Sequence, residues 1–270
     1  MDLLKRVYSV VFYERADPRV KNWLFMTTPA TPAAILTVYL LLVKLILPVY
    51  MRHRKPYDLK TIIKWYNVFQ IISCSVVAWG LATSGWTTIY TFGCQPPDYT
   101  MDPLALRMLR FMWWTLILKM MELVETTFFV LRKKNNQASL LHVYHHVSTM
   151  IIMWAAVKFV GGGMTSFSPL LNHMVHVLMY TYYLMSSEGG PKLRATLNKY
   201  KKWLTIMQMM QFTAMLIHAA QAYLPSCTAP RGITYLFFPN VIFVFYMFYK
   251  FFNASYLKKD NQITNGVKSK

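Results

Sequence analysis

Charge is what this chain has least of. Asp, Glu, Lys and Arg make up 14% of its 270 residues, and the acidic ones number 10 against 29 basic. With 55% of residues hydrophobic, a soluble domain of this length would lack the polar surface to cover itself, which excludes that class. Residues 1–28 are mixed and charged and lack the uninterrupted apolar core of a secretion signal, so no cleavable signal peptide is expected. The basic residues lie in short blocks between apolar stretches and form no continuous face interleaved with aromatics, which argues against a nucleic-acid partner. Methionine (19) and aromatics (16%) are abundant. The expected partner of such a chain is a lipid bilayer.

A membrane-crossing helix needs roughly 20 apolar residues. About seven such stretches can be read, at 32–51, 62–83, 109–131, 140–157, 165–185, 203–224 and 233–252, and they predict an all-α integral membrane protein with seven transmembrane helices in a bundle. Three parts follow: a lumenal N-terminal segment (1–30), a membrane domain (31–254) and a cytosolic basic tail (255–270). Arg52, Arg54, Lys55 and Lys60 follow the first stretch and Arg132, Lys133 and Lys134 the third. Lys192, Arg194, Lys199, Lys201 and Lys202 precede the sixth, and Lys258 and Lys259 follow the seventh. These blocks belong in the cytosol. The alternate loops, 84–105, 158–164 and 225–232, hold only Lys158 and Arg231 as basic residues and face the lumen. An odd number of spans then carries the N-terminus to the lumen despite Lys5, Arg6, Arg15, Arg19 and Lys21, which Asp2, Glu14 and Asp17 offset in part.

Only three cysteines are present. Cys94 and Cys227 both fall in loops assigned to the lumen, where an oxidising compartment lets them pair, and Cys74 sits alone within a span. Asn253-Ala254-Ser255 matches a glycosylation acceptor, but its place on the cytosolic side should leave it unmodified.

Polar residues inside the spans recur at helical spacing. Lys119, Glu122, Glu125 and Thr126 share a face of the third, and His142, His145 and His146 a face of the fourth. In the fifth, Asn172 and His176 are stacked at i and i+4, with His173 one residue off the stripe and Tyr180, Tyr182 and Tyr183 beyond. Thr205, Gln208 and Gln211 ladder the sixth. One such stripe is commonly glue between helices. Four on successive spans predict an enclosed polar cavity, because polar groups stranded in hydrocarbon cost several kcal/mol each. Basic loops around its mouth, with Arg132, Lys133, Lys134, Lys199 and Lys202 as candidates for phosphate contact, suit a ligand with an anionic head and an apolar tail. Acyl-coenzyme A fits, its tail in a tunnel lined by Met and Phe.

Two chemistries compete for the histidines. Spacing of i, i+3, i+4 is ligand-like, but a membrane two-iron site uses about eight or more histidines and this chain has seven, with His53 in a loop and His218 distant. A single zinc, with Glu122 or Glu125 completing its shell, is the remaining metal option. The other is metal-free acyl transfer. Imidazole, with an ordinary pKa of about 6.5, attacks the thioester and releases coenzyme A, and the enolate of a decarboxylating malonyl thioester then takes the acyl group in a second, ping-pong step. The cysteines are poorly placed for that role.

Lys119-x-x-Glu122-x-x-Glu125-Thr126, His142-x-x-His145-His146, Asn172-x-x-x-His176-x-x-Met179-Tyr180-x-Tyr182-Tyr183 and Thr205-x-x-Gln208-x-x-Gln211 together resemble the four signature boxes of the very-long-chain fatty acid elongase (ELO) family, from about residue 22 to 259. The resemblance implies an endoplasmic-reticulum condensing enzyme that takes acyl-CoA and malonyl-CoA to 3-oxoacyl-CoA, coenzyme A and carbon dioxide, without metal or redox cofactor. It implies His145 as acyl-accepting nucleophile, His176 as facing base or enolate stabiliser, His142 and His146 as groups that orient them, and Asn172 as donor to the developing oxyanion. Lys119, Glu122, Glu125, Tyr180, Tyr183, Thr205, Gln208 and Gln211 form the surrounding polar network. The other elongation-cycle enzymes and further copies of the chain are partners the resemblance admits. The third-span box usually ends Asp-Thr, and Glu125 adds one methylene, a shift of roughly 1.5 Å in the carboxylate. Lys268 and Lys270 resemble a dilysine retrieval signal only loosely. The rival classes are a metal-dependent membrane oxygenase or desaturase and a non-enzymatic seven-helix receptor or transporter.

Overall fold

The structure, a computed structural model, describes residues 2–257. The basic tail expected beyond them, with Lys258, Lys259, Lys268 and Lys270, lies outside the described residues. All regular structure among the described residues is helical. Helix α1 (Asp2–Ser9) is followed by α2 (Ala30–Met51) and α3 (Lys60–Trp86). Next come α4 (Pro103–Glu122), α5 (Val124–Leu131), α6 (Leu140–Val160), α7 (Phe167–Glu188), α8 (Pro191–Ala220) and α9 (Gly232–Leu257). Every apolar stretch expected to span is helical over most of its length. Four helices, α2, α3, α6 and α9, are long and apolar enough by length and composition to cross a membrane, which makes this a multi-pass membrane protein. Helix α4 carries Arg107, Arg110, Lys119 and Glu122, and the first half of α8 is basic.

Local chemistry sets the helix starts. Asp102 caps α4, its Oδ1 accepting from the Leu104 and Ala105 amides, and Pro103 takes the first helical position, where its missing N–H is not needed. Ser139 caps α6 by accepting from the His142 amide, which fixes the start of the histidine helix. Between α4 and α5 lies Leu123, whose own dihedrals stay helical (φ −58°, ψ −27°), so the polar stripe runs on across the joint. In α2 the turn Leu42–Ile46 is widened just before Pro48, which has no N–H to return to the preceding turn.

The helices close on themselves. Helix α3 packs on α7, α7 on α8, α8 on α9, α9 on α6, α6 on α4, and α4 back on α3. The result is a six-helix ring with an interior, and α2 lies outside it, touching α6 and, at its end, α5. Between α6 and α7, Gly163 turns the chain at φ +52°, where a Cβ would meet the Gln95 carbonyl oxygen at 2.6 Å. Only glycine allows that approach, and it brings the Met164 amide to the Gln95 carbonyl at 2.8 Å.

The N-terminal residues close one end of the ring. Asp17 donates its amide to the Lys158 carbonyl at 2.9 Å, Lys158 Nζ donates to the Met26 carbonyl at 2.6 Å, and Arg19, clamped on Asp17, reaches the Thr100 carbonyl at 2.8 Å. Trp113 and Trp154 donate their indole N–H groups to the Leu24 and Phe25 carbonyls, and Val20 and Met26 are fully buried in the main core. This end also holds the disulfide Cys94–Cys227 (Cα–Cα 5.6 Å), which links the α3–α4 loop to the α8–α9 loop, while Cys74 is a buried thiol. The bond closes a loop of 133 residues, a length for which its removal costs about 2–5 kcal/mol. Cys94→Ser and Cys227→Ser are therefore each expected to lower the thermal midpoint under non-reducing conditions. Reductant should bring the parent protein to the same value and leave the two variants unchanged.

Candidate functional site

Inside the ring the polar stripes meet. Lys119 Nζ donates to both Glu122 oxygens at 2.9 Å and to Asn172 Oδ1 at 2.8 Å. His176 Nδ1 stands 3.2 Å from Glu122 Oε1. The carboxylate is wholly buried, so the ammonium and the imidazole supply what water cannot. An ammonium only donates, so the Asn172 amide oxygen must face Lys119, and its NH2 is left for another partner.

Glu125 makes a second knot beside the first. Its Oε1 accepts from the hydroxyls of Tyr66 and Tyr180, and Gln70 Nε2 donates to the Tyr66 hydroxyl at 2.6 Å. His146 lies between the two carboxylates, Nδ1 3.8 Å from Glu122 and Nε2 3.9 Å from Glu125. His142 Nε2 is 3.0 Å from Thr126 Oγ1, which also shares a hydrogen bond of 2.8 Å with Tyr39. The His142 and His146 ring centroids are 4.2 Å apart and those of His145 and His146 5.5 Å apart. Possible metal donors of Glu125, His142 and His146 all lie within 4.8 Å of one another. Glu125 Oε1 and His142 Nε2 are already engaged by tyrosine and threonine hydroxyls.

A cavity of about 980 Å³, counted to its open mouth, runs between α4, α6, α7, α8 and α9. Thr115, Lys119, His145, Thr149, Asn172 and Gln211 are among its polar lining, Thr165, Ser168, His218, Thr234 and Asn240 add further polar groups, and the rest is Met, Ile, Val, Ala, Phe and one proline. His145 therefore lines the cavity, with Lys119 and Asn172 on the same wall. His142, His146, His176, Glu122, Glu125 and Tyr180 form the network behind it and are not on the wall. His173 is buried against Thr115 Oγ1 at 3.0 Å. Tyr183 sets its ring edge on Tyr180.

The glutamine ladder is looser. Gln208 Nε2 meets Met179 Sδ at 3.4 Å, Gln211 Nε2 lies 3.9 Å from Met215 Sδ, and Thr205 is 3.5 Å from the Tyr256 hydroxyl. Of the phosphate candidates, Lys133 and Lys134 are exposed beyond α5, Lys199 is exposed on α8, and Arg132 and Lys202 are half-buried, with Lys202 Nζ over the Phe252 ring. The α5–α6 and α7–α8 connections put these residues at the end of the ring where the histidine helix begins.

Sequence reasoning missed Tyr39, Tyr66, Gln70, Thr115 and Thr149 and set His218 aside as distant. Tyr66 and Gln70, a polar pair at i and i+4 in an apolar helix, carried a readable signal. Tyr39 carried none, since tyrosine is ordinary near a membrane surface.

Comparison with known proteins agrees with these motifs. Residues 24–264 match the family described as ELO, GNS1/SUR4. The chain is 37% identical over 257 residues to a very long chain fatty acid elongase of Aedes aegypti, covering 94% of this chain and 71% of that protein. Over 226 residues it is 40% identical to very long chain fatty acid elongase 7 of Rattus norvegicus (82% and 79% covered). Over 262 residues it is 37% identical to very long chain fatty acid elongase 1 of Homo sapiens (96% and 92%).

Proposed function

Because the chain belongs to the ELO (GNS1/SUR4) family, we propose that it catalyses the condensing step of fatty acid elongation, joining an acyl-CoA to malonyl-CoA to give 3-oxoacyl-CoA, coenzyme A and carbon dioxide. His145 attacks the thioester carbonyl, the coenzyme A thiolate departs, and an acyl-imidazole remains. Malonyl-CoA then loses carbon dioxide, its enolate carbon bonds to the acyl carbon, and the imidazole leaves. The observation that carries this reading is the wall of His145, Lys119 and Asn172, in which the amide oxygen of Asn172 is held by Lys119 and its N–H groups are free for a developing oxyanion. His176, seated on Glu122, and His146, between the two carboxylates, position the nucleophile's surroundings and steady the charge that passes through them.

The same reading makes seven of the helical segments spans in an endoplasmic-reticulum membrane, with the N-terminus lumenal and the C-terminus cytosolic. It is supported by the N-terminal residues and the Cys94–Cys227 bond sharing one end of the ring, opposite Arg132, Lys133, Lys134 and the start of α8. Coenzyme A phosphates meet these cations, and the elongation-cycle reductases and dehydratase receive the product.

Purified protein given a saturated long-chain acyl-CoA and carboxyl-labelled malonyl-CoA is expected to release labelled carbon dioxide, one per product lengthened by two carbons. The absence of both release and lengthening overturns the proposal. The Glu125–His142–His146 cluster supports a second, metal-dependent reading. Stoichiometric bound zinc or iron, with activity lost to chelators, would establish it, whereas full activity in chelator keeps the metal-free one.

A further inference from the structure

His218 is 6% exposed and neither of its ring nitrogens has a hydrogen-bond partner; Nε2 is closed off by its surroundings, which leaves Nδ1 as the nitrogen that a group in the cavity can reach. It does not belong to the network around Glu122, yet it lines the same cavity, near the end of α8 where the wall is Met164, Ala219 and Ile233. Phe167 stacks on the imidazole at 4.2 Å and Trp86 meets it edge-on at 5.8 Å, so the ring is held rigidly. Thr234, near the start of α9, adds a hydroxyl-bearing side chain to the lining of the same cavity. A polar atom covered without a partner is costly. An alkyl chain filling this end covers Nδ1 and strands it, whereas a chain bearing a hydroxyl there gives it a partner.

The distance is readable from the helix. On α8 the wall runs from Gln211 to His218 over two turns, about 10 Å, and along α6 it runs from His145 to Ala156 over about 16 Å. An extended acyl chain advances about 1.3 Å per methylene, given C–C bonds near 1.5 Å. On the elongation reading above, we infer that His218 forms a polar subsite selecting acyl-CoA substrates that carry a hydroxyl group about eight to twelve carbons from the thioester.

The test compares 12-hydroxydodecanoyl-CoA with dodecanoyl-CoA, and the corresponding ten-carbon pair, by kcat/KM in wild type and His218→Phe. Phenylalanine keeps the stack on Phe167 and removes the hydrogen-bonding nitrogen. The ratio of hydroxylated to plain substrate is expected to fall about tenfold, and His218→Gln should keep part of the ratio. A ratio untouched by His218→Phe overturns the inference. Should that variant fail to fold, moving the hydroxyl along the chain in the wild type decides. A maximum within the eight-to-twelve window supports the subsite, and a flat profile overturns it. Should wild type elongate nothing, the elongation reading falls. Thermal stabilisation by 12-hydroxydodecanoyl-CoA against dodecanoyl-CoA, in wild type and variant, then judges His218 separately, with equal stabilisation in both counting against it.

Discussion

Incubated with a long-chain acyl-CoA and no malonyl-CoA, the purified wild-type protein should gain the mass of one acyl group and release one coenzyme A, and His145→Ala should do neither. With both substrates present, the variant's turnover should fall at least about a thousandfold, equivalent to about 4 kcal/mol of transition-state stabilisation. The fold should barely register the change, because His145 borders a cavity and its removal enlarges existing space. His146→Ala provides the contrast. That ring is buried between two carboxylates and off the wall, so its loss should cost stability as well as rate. If wild type shows no acyl increment yet forms product from both substrates, condensation runs directly in a ternary complex and His145 serves as base or binding group. A metal-dependent site would be marked by chelator sensitivity, which the acyl increment does not require.

The stripes on α4–α5, α6 and α7 were legible because an apolar background makes every polar residue conspicuous, and helical spacing then says which of them share a face. Spacing says nothing about which helices are neighbours. The order of the ring, with α3 beside α7 and α2 outside, comes from side-chain packing between segments far apart in the chain. For that reason His145 and His176, both read as facing a substrate, fall at different depths: one on the cavity wall, the other against Glu122. The longer Glu125, an oddity in sequence, is met by tyrosines from two other helices, Tyr66 and Tyr180. Arg19 was awkward for a lumenal segment when counted as a charge. In the fold it is paired with Asp17 and bound to Thr100. His218 was set aside as distant because a lone histidine has no pattern to belong to.

Lys119→Met is expected to be the most destabilising single change in the site, by about 3–5 kcal/mol. It strands the fully buried Glu122 carboxylate with only the imidazoles of His176, at 3.2 Å, and His146, at 3.8 Å, beside it. It also removes the donor that orients Asn172, so the amide is free to turn and present its oxygen, the wrong dipole, to an oxyanion. Stability and rate should thus fall together. Adding Glu122→Gln separates them. With no charge left to strand, the double variant should recover most of the lost stability, so the two changes should be strongly non-additive, while Asn172 remains unoriented and turnover stays low. Thermal unfolding in detergent and elongation assays on the four proteins of the cycle provide the measurement. A Lys119→Met protein as stable as wild type would mean that Glu122 does not carry its charge in the bundle. Activity restored along with stability in the double variant would mean that the Lys119–Asn172 bond is dispensable, and with it the assignment of Asn172 as the oxyanion donor.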